Sequence, residues 1–262
     1  MRALSIGATG MEAQQLNVEV ISNNIANLST TGFKRSRAEF QDLLYQNMRS
    51  VGSASSDTGT ILPSGLQVGL GVKPAATYRI NEQGNLTVTN NPLDIAVNGR
   101  GYFQVQLPDG TTAYTRAGSL QLNASGQFVT PDGFTVLPNI TVPTTATSIT
   151  VNASGQVLAT VSGQTAQTTL GQLQLANFIN PTGLDAIGQN LLKETQASGS
   201  PITGSPQSTG FGSLVQGSLE TSNVDIVSEI TNLITAQRAY EMNSKVINTA
   251  DQMLSTANQI KS

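Results

Sequence analysis

"ISNNIANLSTTGFKR", Ile21–Arg35, decides how this chain begins. The segment continues an apolar stripe of helical period that starts at Leu4, and it ends in a Thr-Gly break followed by basic residues. With Leu4 at heptad position a, six of the eight seam positions up to Leu28 are apolar. The sequence therefore predicts a long N-terminal helix that stops at Thr30–Gly32.

The C-terminus shows a second long helix. A strict seven-residue column contains Ile226, Leu233, Tyr240, Ile247 and Leu254, and it is flanked by further apolar residues such as Ile230. "TSNVD", just before it, supplies Ser and Asn for the helix N-cap. Both apolar stripes are wider than a two-helix pair can bury, so they predict packing against helices of neighbouring copies.

Between the helices, the pattern is that of antiparallel strands. Short alternating apolar runs extend from about Pro74 to Gln196, and two of them lead into Pro-Asp-Gly turns at Pro108 and Pro131. Three segments of the form Asn-x-x-Gly, from Asn81, Asn123 and Asn152, predict a turn that is used three times. Stretches rich in Gly, Ser, Thr and Pro join this region to the helices.

The predicted fold class is therefore α+β. The terminal helices form a coiled-coil pair, an extended two-stranded connection follows, and a mainly antiparallel β domain lies in the centre. The predicted regions are 1–33 with 222–262 for the helices, 34–73 with 197–221 for the connection, and 74–196 for the β domain.

Composition excludes most catalytic chemistry. The chain has 262 residues with no Cys and no His, which removes thiolate nucleophiles and the commonest general base and metal ligand. The glycine-rich "GLQVGLGVK" at Gly65 fits no phosphate-binding motif. We expect no enzyme activity, no cofactor, no metal and no small-molecule substrate.

The charge pattern points to self-association. Charged residues make up 11% of the chain, against about 25% in typical soluble proteins. The net charge is -3, which argues against a nucleic-acid partner, and the basic cluster Lys34, Arg35 and Arg37 is expected to be solvated or to contact another subunit. Neither a cleavable signal peptide nor a membrane span is predicted.

Two terminal motifs carry a family resemblance. "SNNIANLSTTGFKR" resembles the N-terminal signature of the bacterial flagellar rod and hook proteins, and "SNVDIVSEITNLITAQRAYEMNSKVINTADQML", from Ser222, resembles their C-terminal signature. The segments "GRGYFQVQLPDGTTAYTRAGSLQLNASGQFVT" and "NFINPTGLDAIGQNLLKETQASG" are similar to the family's β domain. The resemblance covers nearly the whole chain.

This resemblance implies a structural subunit of a helical homopolymer whose terminal helices line an export channel. It also implies export by the flagellar type III apparatus, a place in the basal body across the periplasm, and contact with other rod and hook proteins and with the peptidoglycan and outer-membrane rings. The seam and signature residues are then subunit contacts: Leu4, Met11, Val18, Ile21, Asn23, Asn24, Ile25, Asn27, Leu28, Thr31, Gly32, Ile226, Ile230, Leu233, Tyr240, Ile247 and Leu254.

The segment from Gln46 to Val68 is too long for an ordinary connection and too polar for a core strand. We predict that it lies against neighbouring subunits and stiffens the polymer. Its anchors would be the apolar residues Ile61, Leu62, Leu66 and Val68. The alternatives are a proximal rod or hook subunit of the family and, in a different class, a monomeric binding module built on the β domain.

Overall fold

The structure is a computed structural model that describes residues 2–49, 64–162 and 166–261. The chain forms two compact units. The helical unit consists of residues 1–25, 36–78 and 226–262, and the β unit of residues 26–35 and 79–225. The predicted α+β class is confirmed, with a helix at each end and antiparallel strands between them.

The helical unit contains two helices and a strand ribbon. Its elements are α1 (Arg2–Ala26), β1 (Ser36–Asp42), β2 (Tyr45–Arg49), β3 (Leu66–Gly69), β4 (Val72–Arg79, whose last residue belongs to the β unit) and α2 (Ile226–Lys261). Helix α1 ends at Ala26, earlier than the predicted stop at Thr30–Gly32.

Helices α1 and α2 lie side by side and run antiparallel. A Cβ added at Gly7 would lie 2.8 Å from Cγ1 of Ile247, so the backbone of α1 approaches α2 closely at this position. At the other end of the pair, the Asn24 side chain donates a hydrogen bond to Glu229 at 3.4 Å. Coiled-coil geometry within this pair remains a prediction.

The ribbon is a long antiparallel hairpin. Strand β1 pairs with β4 and β2 pairs with β3. Backbone hydrogen bonds from Leu43 to Gly71 and from Leu70 to Leu44 join the two pairs. Gly71 has a φ of 125°, and a Cβ there would lie 2.2 Å from the Thr9 hydroxyl oxygen of α1, so the glycine density of this segment serves close packing.

The two units divide the chain differently from the three predicted regions. The outgoing strand β1 pairs with β4, rather than with the returning stretch 197–221. That stretch lies within the β unit instead. The reason is that the hairpin partner is near in sequence, so pairing with it closes a much shorter loop.

The β unit is built from sixteen short strands in the part of the chain that is described. They are β5 (Leu86–Val88), β6 (Ile95–Asn98), β7 (Tyr102–Gln106), β8 (Thr112–Thr115), β9 (Gln121–Leu122), β10 (Phe128–Val129), β11 (Thr135–Leu137), β12 (Ala146–Val151), β13 (Gln156–Val161), β14 (Thr168–Gln172), β15 (Leu175–Asn177), β16 (Asp185–Gly188), β17 (Leu191–Lys193), β18 (Ile202–Gly204), β19 (Ser213–Gln216) and β20 (Ser218–Glu220).

Strand order in the β unit is as follows. The main sheet runs β16-β17-β8-β7-β11-β10-β9, with β15 on β7 and β18 on β15. Strands β12, β13 and β14 form a second sheet, and β19 pairs with β6 and β20 with β5. The core between these sheets buries large apolar side chains completely, including Ile95, Phe103, Phe128 and Leu175.

Both Pro-Asp-Gly turns form hairpins, one between β7 and β8 and the other between β10 and β11. The Asn-Ala-Ser-Gly turns at Asn123 and Asn152 form as predicted. In each, the Gly N–H donates to the Asn carbonyl at 2.9 Å, and the Asn side chain accepts from the Gln that follows the Gly.

The prediction of a third turn, at Asn81, is wrong. Residues 81–84 form no turn, because the Gly84 N–H donates at 2.9 Å to the carboxylate of Glu220 instead of to Asn81. A distant buried acid thus overrides a local turn signal.

Candidate subunit interface

The predicted contact residues near the N-terminus differ widely in exposure. Ile21 and Asn24 are buried. Asn23 is exposed. The remaining members are half-buried: Leu4, Met11, Val18, Ile25, Asn27, Leu28, Thr31 and Gly32.

The predicted column on α2 is the more exposed of the two. Leu233 and Ile247 are half-buried. Large parts of the other four side chains face solvent, namely those of Ile226, Ile230, Tyr240 and Leu254. The pair of helices therefore leaves most of this column uncovered.

A second column on α2 holds the helices together, and the sequence reading missed it. It repeats every seven residues, as the predicted column does: Glu229, Ala236, Asn243 and Ala250. The two alanines and Glu229 are buried. Asn243 faces Gly10 of α1, since a Cβ added at Gly10 would lie 2.8 Å from the side-chain nitrogen of Asn243. The available signal was the pair of alanines on this column together with the glycines Gly7 and Gly10 of α1, which face α2.

The exposed apolar side chains of α2 form what we call the helical apolar surface. Its members are Ile226, Val227, Ile230, Ile234, Tyr240, Met242, Val246, Met253 and Leu254. Val227 is the most exposed of them, at 69%. So many exposed large apolar side chains on one helix are unusual for a monomer and typical of a surface that another protein covers.

The ribbon carries a second exposed apolar group, the ribbon patch, formed by Leu44, Tyr45, Met48, Leu66 and Leu70. Leu44 is 83% exposed. Of the predicted stiffening residues, Leu66 lies in this patch and Val68 is half-buried beside it. Ile61 and Leu62 lie outside the described residues.

Asn24 makes its hydrogen bonds within its own chain. Its side-chain amide donates to the Ser36 carbonyl and accepts from the Ser36 N–H, both at 2.8 Å. It thus pairs with the first residue of β1 as a strand would. The signature asparagine fixes where the ribbon leaves α1, and this role occupies the side chain that was predicted to contact another subunit.

Within the β unit, Glu220 is the centre of a buried ion cluster. It is 1% exposed. Lys34 Nζ lies 2.5 Å from Oε1, and Arg116 Nε lies 2.6 Å from Oε2. The backbone N–H of Gly32 also donates to the Glu220 carbonyl at 2.8 Å. The cluster therefore ties the Thr-Gly-Phe-Lys part of the N-terminal signature to the residues just before α2.

Backbone carbonyls accept further hydrogen bonds from the two cations. Lys34 Nζ donates to the Glu82 carbonyl at 2.7 Å. Arg116 donates to the carbonyls of Val97, Gly99 and Gly101. No buried side-chain polar atom in the described residues lacks a partner. Full satisfaction is what makes a buried ion cluster tolerable.

Glycine is required at position 32. Its φ is 69°, and a Cβ there would lie 2.9 Å from the backbone of Arg116 and Ala117. The signature glycine thus serves a close approach to the Arg116 segment, in addition to the left-handed backbone that sequence alone indicated.

Burial and the surrounding charges, one carboxylate and two cations, together shift the pKa values of Lys34 and Glu220. Burial alone raises the pKa of Glu220, but Arg116 and Lys34 together lower it below the ordinary value of 4.5. Burial lowers the pKa of Lys34, with Arg116 adding repulsion, and outweighs the pairing with Glu220. At neutral pH, Glu220 is charged.

The expectation for the basic cluster at Lys34 was wrong in one residue. Lys34 is 8% exposed and paired inside the subunit, so it is neither solvated nor free for a neighbour. Arg35 is half-buried and its N–H donates to Asn223 at 2.7 Å, while Arg37 is exposed. The side chain of the predicted N-cap residue Asn223 also donates to the Ile80 carbonyl, so it links the backbone at Arg35 with that at Ile80.

No group of three or more acidic, His or Cys side chains in ranges 2–49, 64–162 and 166–261 is placed to hold a metal ion. None of the described helices is both long and apolar enough to cross a membrane.

Comparison with known families places this arrangement in a class. Residues 4–34 match the family model "Flagella basal body rod protein", residues 96–159 match "Flagellar hook protein FlgE/F/G D1 domain", and residues 215–260 match "Flagellar basal body rod FlgEFG protein C-terminal". All three describe proteins of the flagellar rod and hook.

Individual relatives show which family within this class the chain belongs to. The chain is 60% identical to flagellar basal-body rod protein FlgG of Caulobacter vibrioides over 100% of both chains. It is 54% identical to FlgG of Agrobacterium fabrum over 97% of both, and 39% identical to FlgG of Bacillus subtilis over 97% of both. The chain belongs to the FlgG family of flagellar basal-body rod proteins.

Proposed function

We propose that this protein is the structural subunit of the flagellar distal rod, and that it polymerises into a rigid hollow drive shaft. The shaft transmits torque to the hook and encloses the export channel. The observation that carries the proposal is the helical apolar surface, which a single subunit leaves uncovered. Family membership supports a structural, non-catalytic role within the basal body.

Covering the helical apolar surface supplies the driving force for assembly. Its nine side chains are each at least a third exposed. Fully burying such a side chain contributes about 1.5–3 kcal/mol, so completing the burial of the set is worth on the order of 10 kcal/mol before association costs. With only 11% charged residues, little electrostatic repulsion opposes the approach of identical copies.

The helical seam residues are then contacts between copies in the polymer. Leu4, Met11 and Val18 are half-buried in the single chain and would complete their burial against helices of neighbours. In the antiparallel pair, glycines of α1 face Asn243 and Ile247 of α2, and most other large side chains of the α2 column stay exposed, which supports this assignment.

We also propose that the ribbon patch holds neighbouring copies at a fixed spacing. A shaft that must not bend needs contacts that prevent sliding between subunits. The ribbon presents Leu44 and Tyr45 on a hydrogen-bonded hairpin, which is a stiffer support than a free linker. Leu66 on the opposite strand belongs to the same patch, as the stiffening hypothesis requires.

The expected partners follow from the position of a distal rod. They are further copies of this chain, proximal rod and hook proteins at the two ends, the surrounding peptidoglycan and outer-membrane ring proteins, and the type III export apparatus. The location is the basal body across the periplasm. End-to-end similarity to FlgG relatives favours this role over a proximal rod or hook subunit. The exposed helices disfavour a monomeric binding module.

Electron microscopy of purified protein tests the proposal. Wild-type protein should form straight hollow tubes. Ile234→Asp, in the helical apolar surface, should prevent tube formation, whereas Thr231→Asp, at an exposed polar position of the same helix, should not. Circular dichroism must show the same secondary structure in both variants. Tubes from Ile234→Asp as abundant as those from wild type would overturn the assignment of this surface.

A further inference from the structure

The sequence contains one Asn-Gly dipeptide, Asn98–Gly99, at the end of β6. Such a pair usually forms a tight hairpin. Here it does not, because β6 pairs with β19 and the chain continues into another sheet with β7. Gly99 has a φ of 107°, and a Cβ there would lie 2.9 Å from Gly212, so the backbone requires glycine at this position.

Asn-Gly is also the dipeptide most open to spontaneous deamidation, since glycine has no side chain to hinder the attack. The Gly99 nitrogen loses its proton and attacks Cγ of Asn98, a C–N bond forms, and ammonia leaves after taking a proton from solvent. Water then breaks one of the two imide C–N bonds and returns a proton to nitrogen, which gives Asp or isoAsp. The Asn98 side chain is exposed, so water reaches it.

The structure blocks the first step of this reaction at the nucleophile. The Gly99 N–H donates a hydrogen bond to Oε1 of Gln83 at 2.9 Å. Nε2 of the same side chain donates to the Val97 carbonyl at 3.1 Å. The Gln83 side chain thus accepts from the Gly99 N–H and donates to the Val97 carbonyl, on either side of Asn98, in the pattern of a neighbouring strand. Its acceptor oxygen holds the proton that the Gly99 nitrogen must lose.

Two further restraints prevent the backbone rotation that the attack requires. Asn98 is paired with Ser213 across the β6–β19 ladder. The buried guanidinium of Arg116 donates to the carbonyls on both sides of Asn98, those of Val97 and Gly99. Gln83, the pairing with Ser213 and the Arg116 guanidinium therefore restrain the peptide units around Asn98.

We propose that Asn98 is a latent deamidation site and that Gln83 is the residue that protects it in the folded protein. When the region is unfolded, Asn98 reacts at the rate of an unhindered Asn-Gly pair. In the native chain, the hydrogen bond from Gly99 to Gln83 keeps the Gly99 nitrogen protonated and prevents it from approaching Cγ of Asn98. Gln83 is a positioning residue here, and its amide takes no part in the bonds that form or break.

The test follows deamidation at Asn98 by peptide mapping and mass spectrometry during incubation of the full chain in mildly alkaline buffer. Gln83→Leu removes both hydrogen bonds at nearly constant size. It should deamidate roughly tenfold faster than native wild type, the factor that corresponds to one net hydrogen bond. Gln121→Leu, the same change at an exposed strand position, should match wild type. Wild type unfolded in urea should react faster than any folded sample.

Folded Gln83→Leu with the wild-type rate would overturn the proposal, as would native wild type that reacts as fast as the unfolded chain. If circular dichroism shows that Gln83→Leu does not fold, amide hydrogen exchange of wild type decides the matter. Slow exchange at Gly99 supports the proposed hydrogen bond, and free exchange overturns it.

Discussion

Glu220→Gln tests whether the buried ion cluster holds the β unit together. The substitution keeps the size and shape of the side chain and removes its charge. Lys34 and Arg116 then remain buried beside a neutral amide. Glu82→Gln is the matched control, because it makes the same chemical change at an exposed side chain in the neighbouring segment.

The expected loss of stability is roughly 3–5 kcal/mol, the usual cost of leaving a buried charge without its partner. The figure is not doubled for two cations, because backbone carbonyls still bind both of them. The control should change stability by about 0.5 kcal/mol or less, as surface substitutions usually do. With a urea slope of about 2–3 kcal/mol/M, the midpoint of the variant should fall by about 1–2.5 M.

Urea unfolding of the full chain, followed by far-UV circular dichroism, measures this difference. The pH dependence adds an independent check. Because the folded-state pKa of Glu220 lies below its unfolded value, the stabilisation is complete above pH 4.5 and is lost as the pH falls through the lowered pKa. The gap between wild type and Glu220→Gln should therefore narrow in acid. A variant as stable as the control at neutral pH would refute the reasoning.

Three other perturbations test the helical unit. Ile25→Asp or Ile247→Asp places a carboxylate at a half-buried seam position at a cost of several kcal/mol, so polymerisation should fail while the strand signal in circular dichroism persists. Normal motility with either variant would mean that the seam is not a subunit contact. Gly7→Leu should lower the stability of the helix pair by about 1–3 kcal/mol in thermal unfolding, because even a Cβ at this position would lie 2.8 Å from Cγ1 of Ile247. The control Ala3→Leu, at an exposed position, should leave the stability unchanged. Deleting residues 49–60 should still allow polymerisation but give filaments with a shorter persistence length in micrographs; rods as straight as the parent's would show that stiffness arises elsewhere.

Local patterns allowed the sequence to predict the elements. The helical period identified both terminal helices, since each turn of a helix depends on residues three or four apart. The turns at Asn123 and Asn152 formed as expected because the hydrogen bonds that define them, from the Gly and the following Gln to the Asn, join residues at most four positions apart. The α+β class follows from these local signals alone.

The predicted site residues show where such signals end. The column from Ile226 was predicted to contact neighbouring copies because its side chains are large and apolar. In the structure, Ala236 and Ala250 are buried and Ile226 is exposed. The glycines of α1 let α2 approach closely, and Ile247 is the one large residue of the column that packs there, against Gly7. Which stripe a helix buries depends on the surface that faces it, and a single helix sequence does not contain that surface.

Long-range electrostatics decided the rest. Lys34 was expected to meet solvent or another subunit because its neighbours in sequence are basic, yet its partner Glu220 is 186 residues away. The same carboxylate takes the Gly84 N–H and removes the turn at Asn81. A buried charge must be satisfied by whichever groups the fold brings within hydrogen-bond distance. Sequence therefore determined the helices and hairpins of this protein, and only tertiary structure decided which charged and small side chains hold them together, because those contacts join residues that are far apart along the chain.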